Sequence, residues 1–409
     1  VTPAPSPSID ASTRLLSPEG LARLPGLLGR VGADAWLLFD MGDHNPLAHR
    51  ILGLGKTTRR AFALVPGSGT PRLLHHAIEA SAWRDWPGER RSYQSYGDLE
   101  GGLAWVLEGR ERVAMEVSPR SAVPTVDRVP SGIVELVRNR GVEVVSSGDL
   151  ITAYHSLWSA DALASHREAA GIVRATAMQA FQKAARDIGA GREIRERDLM
   201  EWIQARLHEA GVTEQVGCVV AAGASASDPH YDPFQKGQPL KGGDLVLLDL
   251  WGGLTGGGVP ADQTWMAFLA APNRVPTRVR AVWEAVRDAR DGALQFLRDR
   301  HLAGREVRGW EVDEVARGVL RDRGMDAWFS HRLGHSIDDR LHGSGPNLDH
   351  LETRDERMLL PGVGFSVEPG VYIPGELGVR SEVNVYWGEE GPEVTTPRPQ
   401  DDLIYLPPA

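Results

Sequence analysis

Across residues 13–150, short apolar runs alternate with segments of helical spacing, each punctuated by turn residues. SPEGLARLPGLLGRVG opens the series as a predicted helix, with Ser17 as N-cap and Pro18 in the first turn. DAWLLFD reads as a strand, and AFALVPGSGTPRLLHH as two strands joined by a Pro/Gly turn. AIEASAWRDW resembles a helix, RVAMEV a strand, VPSGIVELVRNRG a helix stopped at Gly141, and VEVVSS a further strand. This alternation predicts a small α/β domain. Its sequence holds no phosphate loop and no GxGxxG. His44 and His49 fall in a polar loop, and His75 and His76 close a strand.

The pattern changes over 147–159, a polar stretch with turn residues, and a domain boundary is expected there, between 154 and 155. Beyond it Leu163, Ala170, Val173, Ala177, Phe181, Ala184 and Ile188 recur at steps of three, four or seven residues, predicting a long amphipathic helix closed by IGAG. ERDLMEWIQARLHEAG predicts a second helix, with Leu199, Ile203 and Leu207 on one face. VGCVVAAG reads as a buried strand. DLVLLDLWGG and QTWMAF read as a hairpin whose loop is the Gly-rich LTGGGVPA. Val282, Val286, Ala289, Ala293 and Leu297 mark a third long helix over 277–300, and EVDEVARGVLRDRG a fourth. Strand-like runs follow at 363–367, 370–373, 379–385 and 403–406. The expected fold class is α+β. A disordered lead-in at 1–12 precedes a smaller α/β domain at 13–154. Over 155–409 a curved antiparallel sheet with flanking helices supplies side chains from its inner face.

Composition narrows the function classes. At 409 residues two domains are expected, because single cores stop growing near roughly 250–300 residues. Hydrophobic residues at 42% and charged residues at 24% are those of a globular chain. A net charge of −10 argues against nucleic-acid or anionic-membrane partners, which need a basic face. No apolar run approaches the roughly 20 residues of a membrane span. The opening VTPAPSPS lacks the features of an intact signal peptide, so cytoplasm is the default expectation. The lone Cys218, in an apolar run, is expected to be a small core residue.

Candidate chemistry lies in the C-terminal half. HRLGHSIDDRLH brings His331, His335 and His342 into a segment without helical periodicity, expected to line a cleft. Four acidic residues stand in strand-like runs: Asp249, Asp262, Glu368 and Glu382. A charge in such a run is costly to bury without compensation. A hairpin can face Asp249 and Asp262 at one point, and a second strand pair can do the same for Glu368 and Glu382. With His335 as the nitrogen donor, this set suits Mn²⁺, Co²⁺, Fe²⁺ or Zn²⁺ better than a thiolate site would. Five such ligands are about right for two ions roughly 3.5–4 Å apart with a bridging hydroxide.

The order and context of these residues resemble the creatinase/prolidase/aminopeptidase P metallopeptidases, over nearly the whole chain and most closely from residue 159 on. The resemblance implies a pita-bread catalytic domain and two divalent metal ions, Mn²⁺ first, with Zn²⁺ or Co²⁺ as alternatives. By it Asp249, Asp262, His335, Glu368 and Glu382 are the metal ligands, with Asp262 and Glu382 bridging. It makes Glu368 the proton carrier and gives His230 and His342 catalytic and substrate contacts. His331 lines the site, and Arg380 either grips a substrate carboxylate or orients a ligand carboxylate. The implied activity is hydrolysis of the bond before proline, by an Xaa-Pro dipeptidase or aminopeptidase acting on proline-containing peptides as a homodimer or homotetramer. A carboxypeptidase-like variant, a metal-free creatinase-like amidinohydrolase and a non-catalytic binding member are the alternatives. Departures from the family pattern fall in the substrate pocket. GHSID stands for the usual GHGIG, Gly343 for an acidic residue, and HLETRDER for a lysine-rich stretch.

Overall fold

A computed structural model describes residues 14–53, 57–233 and 237–407. The expected lead-in at 1–12 lies outside them. The chain divides between Leu157 and Trp158 into two compact units.

The first unit begins with α1 (Pro18–Val31), capped by Ser17, whose hydroxyl accepts the Gly20 N–H at 2.9 Å. Next come β1 (Ala35–Asp40), α2 (Pro46–Leu52), β2 (Ala61–Pro66), β3 (Arg72–His76), β4 (Glu89–Tyr93), α3 (Tyr96–Val106), β5 (Arg112–Met115), α4 (Ser131–Arg138), β6 (Glu143–Ser146) and α5 (Gly148–His155). The strands form one mixed sheet in the order β4-β3-β2-β1-β5-β6. Leu37, Phe39, Phe62, Leu64, Leu103 and Val137 belong to its core.

Three expectations fail here. His49 lies in α2, not a loop, and its Nε2 meets Asp40 Oδ2 at 2.7 Å. AIEASAWRDW forms only a single 3₁₀ turn, Ala77–Glu79. Trp83 and Trp86 are buried edge to face, and the Trp83 carbonyl accepts from the Arg90 guanidinium and from the Trp86 N–H three residues on, a turn bond and not the four-residue bond of an α-helix. The supposedly polar stretch from 147 is α5, whose residues other than Asp149 are buried. Its serines and glycine resemble a linker, but Ser147 Oγ bonds the buried Glu116.

The second unit contains α6 (Ala160–Gly189), α7 (Glu196–Glu209), β7 (Val212–Ala222), β8 (Leu245–Leu254), β9 (Ala261–Phe268), α8 (Thr277–Leu302), α9 (Gly309–Asp322), β10 (Ser336–Ile337), β11 (Val363–Val367), β12 (Gly370–Ile373), β13 (Leu377–Arg380), β14 (Val383–Gly388), β15 (Gly391–Val394) and β16 (Ile404–Tyr405). β16-β9-β8-β7 make one sheet, β10-β11-β14-β15 another, and β12-β13 a ribbon. α6 packs across β8 and β9, α7 on β7, and α8 on β13 and β15. Side chains alternate along β8 and β9. Leu248, Leu250, Trp265 and Ala267 enter the core beneath α6 and α7, so Asp249, Asp262 and Thr264 face the other way.

The run expected as one strand over 379–385 is broken at Ser381–Glu382 into β13 and β14, which belong to different sheets. The break has a partner at Glu368–Pro369, between β11 and β12. Register is continuous across both. Val367 pairs with Val383, Ser381 N–H donates to the Pro369 carbonyl at 3.3 Å, and Gly370 pairs with Arg380. The two glutamates therefore stand opposite each other where a hairpin passes from one sheet to the next.

Candidate metal centre

Two strand pairs and one irregular segment converge. In the β8–β9 hairpin Asp249 pairs with Thr264 and Trp251 with Asp262, so the aspartates are diagonal neighbours on one face. His335 is carried by the segment before β10. Its N–H donates to Ser366 Oγ at 3.0 Å, and its carbonyl accepts the Ser366 N–H at 2.9 Å. His335 Nε2 then lies 3.3 Å from Asp262 Oδ2 and 3.6 Å from Glu368 Oε1. Asp262, His335 and Glu382 each present a donor atom within 4.8 Å of the others. Thr264 joins the rest, its single hydroxyl proton shared between Glu382 Oε2 at 2.8 Å and Asp249 Oδ1 at 3.2 Å.

Asp262 Oδ1 and Glu382 Oε1 are buried without a hydrogen-bond partner among the described residues. A bare buried carboxylate oxygen is costly in a protein interior. Four carboxylates and one imidazole around such atoms fit a divalent cation, which would satisfy oxygens that no N–H reaches.

Electrostatics lead to the same place. Burial drives the Asp249 carboxyl up to about 7, against the Arg380 charge and with help from Asp262 and Glu368. Burial also pushes Glu382 well above the carboxylate range, with Asp262, Glu368 and Asp249 adding to it. On Glu368 burial acts upward, but His335, His331 and Arg380 outweigh it and leave the group low. A raised folded-state pKa means tighter proton binding than in the unfolded chain. The stability it brings is complete below the unfolded value of 3.8 and is lost as pH rises through about 7. Glu368 has the opposite sign, but its loss falls below its ordinary 4.5. Desolvation pushes His331 and His342 down to about 4, and they carry the opposite trend between pH 5 and pH 8. The carboxylates are therefore read by difference: chelated wild type should lose Tm relative to chelated Glu382→Gln as pH rises from 5 to 8, and Mn²⁺ should reverse that loss. A difference that is flat or runs the other way would contradict the carboxylate cluster.

Around the donors, Arg380 is buried and forms an ion pair with Asp249; its Nε donates to Thr264 Oγ1 at 2.8 Å and Nη1 to Tyr372 Oη at 3.4 Å. His331 Nε2 meets the same tyrosine oxygen at 2.8 Å. The exposed His342 packs edge-on against His335, ring centres 4.4 Å apart. His230 is not drawn in. It is exposed, with its N–H on Asp228, and its side chain bonds to none of these groups among the described residues. The sequence reading missed Thr264, Ser366, Tyr372 and the Asp313–Arg317 pair. That buried pair pins the histidine segment: Arg317 donates to the Phe329 and His331 carbonyls, and Asp313 accepts the Leu333 N–H. Thr264 had a signal, since it lies two residues from Asp262 and so on the same strand face.

Residues 164–389 match Metallopeptidase family M24. The chain belongs to that family. As an M24 member it is a peptidase, and so a hydrolase, of a metal-dependent family. It is 28% identical over 401 residues to a probable dipeptidase PepE of Mycobacterium bovis, covering 97% of this chain and 99% of that one. An Xaa-Pro dipeptidase of Lactobacillus helveticus is 30% identical over 179 residues, 44% of either chain. The crystal structure of dipeptidase PepE from Mycobacterium ulcerans superposes with a TM-score of 0.68 at 22% identity, over 95% of this chain and 97% of that one. The prolidase from Pyrococcus horikoshii gives 0.59 at 19% identity, over 94% and 99%. The M24 fold is thus an α+β pita-bread domain preceded by a smaller domain. Among the described residues no helix is long and apolar enough to cross a membrane.

Proposed function

We propose that this M24 peptidase is an exopeptidase that hydrolyses the bond before proline. It holds two divalent ions, manganese foremost, on Asp249, Asp262, His335, Glu368 and Glu382. The observation that carries this reading is the convergence of those donors around two bare buried oxygens. The proline preference is supported by the relative named Xaa-Pro dipeptidase. Bound divalent ions supply a water acidic enough to attack at neutral pH and polarise the scissile carbonyl.

The protein's own groups do the rest. Arg380 and Thr264 orient Asp249 and oppose the burial that raises its carboxyl. Ser366 Oγ lies 3.1 Å from Glu368 Oε1 and fixes that carboxylate. Held low, Glu368 accepts the proton of the attacking water and passes it to the leaving nitrogen. That proton is needed because an amide nitrogen departs as an amine only when protonated, and a prolyl nitrogen starts without a hydrogen of its own. His342, beside His335, donates to the developing oxyanion. His331, fixed by Tyr372, lines the pocket, and His230 contacts substrate from its exposed loop.

A second reading is a dipeptidase indifferent to proline. It is favoured by the full-length relatives, which are named simply probable dipeptidase. A panel of Ala-Pro, Ala-Ala, Ala-Pro-Ala and longer peptides with free and blocked ends, run on manganese-loaded protein, separates the two. Cleavage of proline peptides alone supports the first reading. Equal cleavage of Ala-Ala replaces it with the second, and cleavage of none of them removes both.

A further inference from the structure

Gln215 has a φ of 51°, in the left-handed region, and among the described residues it is the only non-glycine in that region inside a strand. A side chain there strains the backbone, and the strain persists only where surrounding contacts impose it. The contacts are those of a bulge. Glu214 pairs with Gly253 and Gly217 with Trp251, so Gln215 and Val216 together face the single Gly252 of β8. Gly252 makes room for them: a Cβ on it would fall 2.5 Å from Val212 Cγ1 and 3.2 Å from Val216 Cγ2. A bulge bends its strand and re-aims a side chain, and bulges gather beside functional sites.

The re-aimed side chain closes on the loop that carries His342. Gln215 Oε1 accepts the Leu341 N–H at 3.0 Å, and Nε2 donates to the Asp339 carbonyl at 2.9 Å. The amide thus pairs with two backbone groups as a neighbouring strand would, and one of them belongs to the residue before His342. Residues 338–344 form no helix or strand of their own. Asp338 accepts the Arg340 and Ser344 N–H groups at 3.0 and 2.7 Å, and the Gly343 N–H donates to the Ser336 carbonyl at 2.7 Å. Those bonds close the loop on itself. Gln215 joins it to β7, and so to the sheet whose β8 and β9 carry Asp249 and Asp262. The ring centre of His342 lies 4.4 Å from that of His335.

We propose that Gln215 is a positioning residue: its amide, aimed by the bulge, fixes the loop that presents His342 beside His335. The inference rests on the oxyanion role proposed for His342 and deepens it by naming what holds that ring. A donor helps a developing charge most when it already stands where the charge appears. Two bonds to the backbone just before His342 set the direction in which its side chain leaves the loop.

The test begins with Gln215→Gly, which removes both bonds and accepts the left-handed backbone without strain. In manganese-loaded enzyme it is expected to lower kcat about ten- to a hundredfold with KM unchanged, on whichever dipeptide the wild type cleaves. In the His342→Ala background the same change should move kcat by less than about twofold, because Gln215 acts through that ring. Gln215→Glu keeps the acceptor for Leu341 and should recover part of kcat. Should Gln215→Gly fold poorly, Gln215→Asn takes its place, since asparagine tolerates the left-handed backbone but is a methylene too short for the loop. In metal-free protein the NMR signal of the His342 ring Cε1–H, assigned by its loss in His342→Ala, should shift or broaden in Gln215→Gly. Unchanged kcat overturns the proposal, and so does a loss of the same size with and without His342. If the loaded wild type cleaves no peptide, the peptidase reading has failed separately. The His342 signal then decides Gln215 alone, and a signal that stays in place counts against it.

Discussion

Glu382→Gln is expected to abolish peptide hydrolysis and to lower metal affinity by at least on the order of 100-fold, the upper end of the loss seen when a ligand's hydrogen-bonding partner is removed. Glu382 stands at the break between β13 and β14, with Oε2 on Thr264 and Oε1 buried and bare. Glutamine preserves the size and an acceptor for Thr264, so the fold has little reason to change. It removes the negative charge that a cation must meet. Without metal that charge is a burden, since burial and three neighbouring carboxylates all oppose it. The chelated variant should therefore melt above the chelated wild type at pH 8, while the order reverses once Mn²⁺ is added. Asp262→Asn should behave alike, having lost the charge beside the other bare oxygen. Metal analysis after dialysis and paired melts read both effects. A variant that retains both ions and full turnover would remove Glu382 from the centre.

Arg380→Met is expected to cost about 3–5 kcal/mol of stability, the usual result of stranding one member of a buried ion pair. Arg380 is the only cation that the structure sets against Asp249 by direct contact among the described residues, and the same fork orients Thr264. Without it the Asp249 carboxyl, already pushed up to about 7, rises further and yields its proton to a metal less readily. Denaturant melts of chelated protein measure the first effect, and the pH dependence of metal uptake measures the second. Arg380→Lys keeps the charge but not the planar fork and should fall between. If Arg380→Met instead left stability unchanged and altered only the KM of free-acid peptides, Arg380 would be the substrate-reading group.

Long periodic segments were the most legible. α6, α7, α8 and α9 each bury a stripe whose spacing repeats over several turns, and the β8–β9 hairpin shows in two apolar runs around a Gly-rich loop. Short elements were not. α2 and β4 carry too few apolar positions to mark a period, and the glycines of α3 interrupt its Leu99, Leu103 and Val106 stripe. α5 resembles a linker because Ser147 at its cap and Tyr154 find their partners, Glu116 and Gly20, far along the chain. At the centre, five acidic and histidine positions could be listed from context, and the structure brings them face to face. Their geometry could not be listed. The split of 379–385 depends on pairing with Glu368–Pro369, a contact that no local pattern encodes. Arg380 could be assigned to substrate or to a neighbour from its position alone. Its contacts with Asp249 and Thr264 lie 131 and 116 residues away in the chain.

Those separations bear on how the centre comes into being. The β8–β9 hairpin presents its aspartates early in the second unit, but Thr264 meets Glu382 across 118 residues. Contacts so distant in sequence form only after the intervening chain has given up its freedom, and such closures are slow. Until the hairpin that crosses between sheets has formed, the aspartates face solvent as an ordinary acidic pair with little hold on a cation. Metal capture is then a late event of folding, and its rate reports when the last strands have docked.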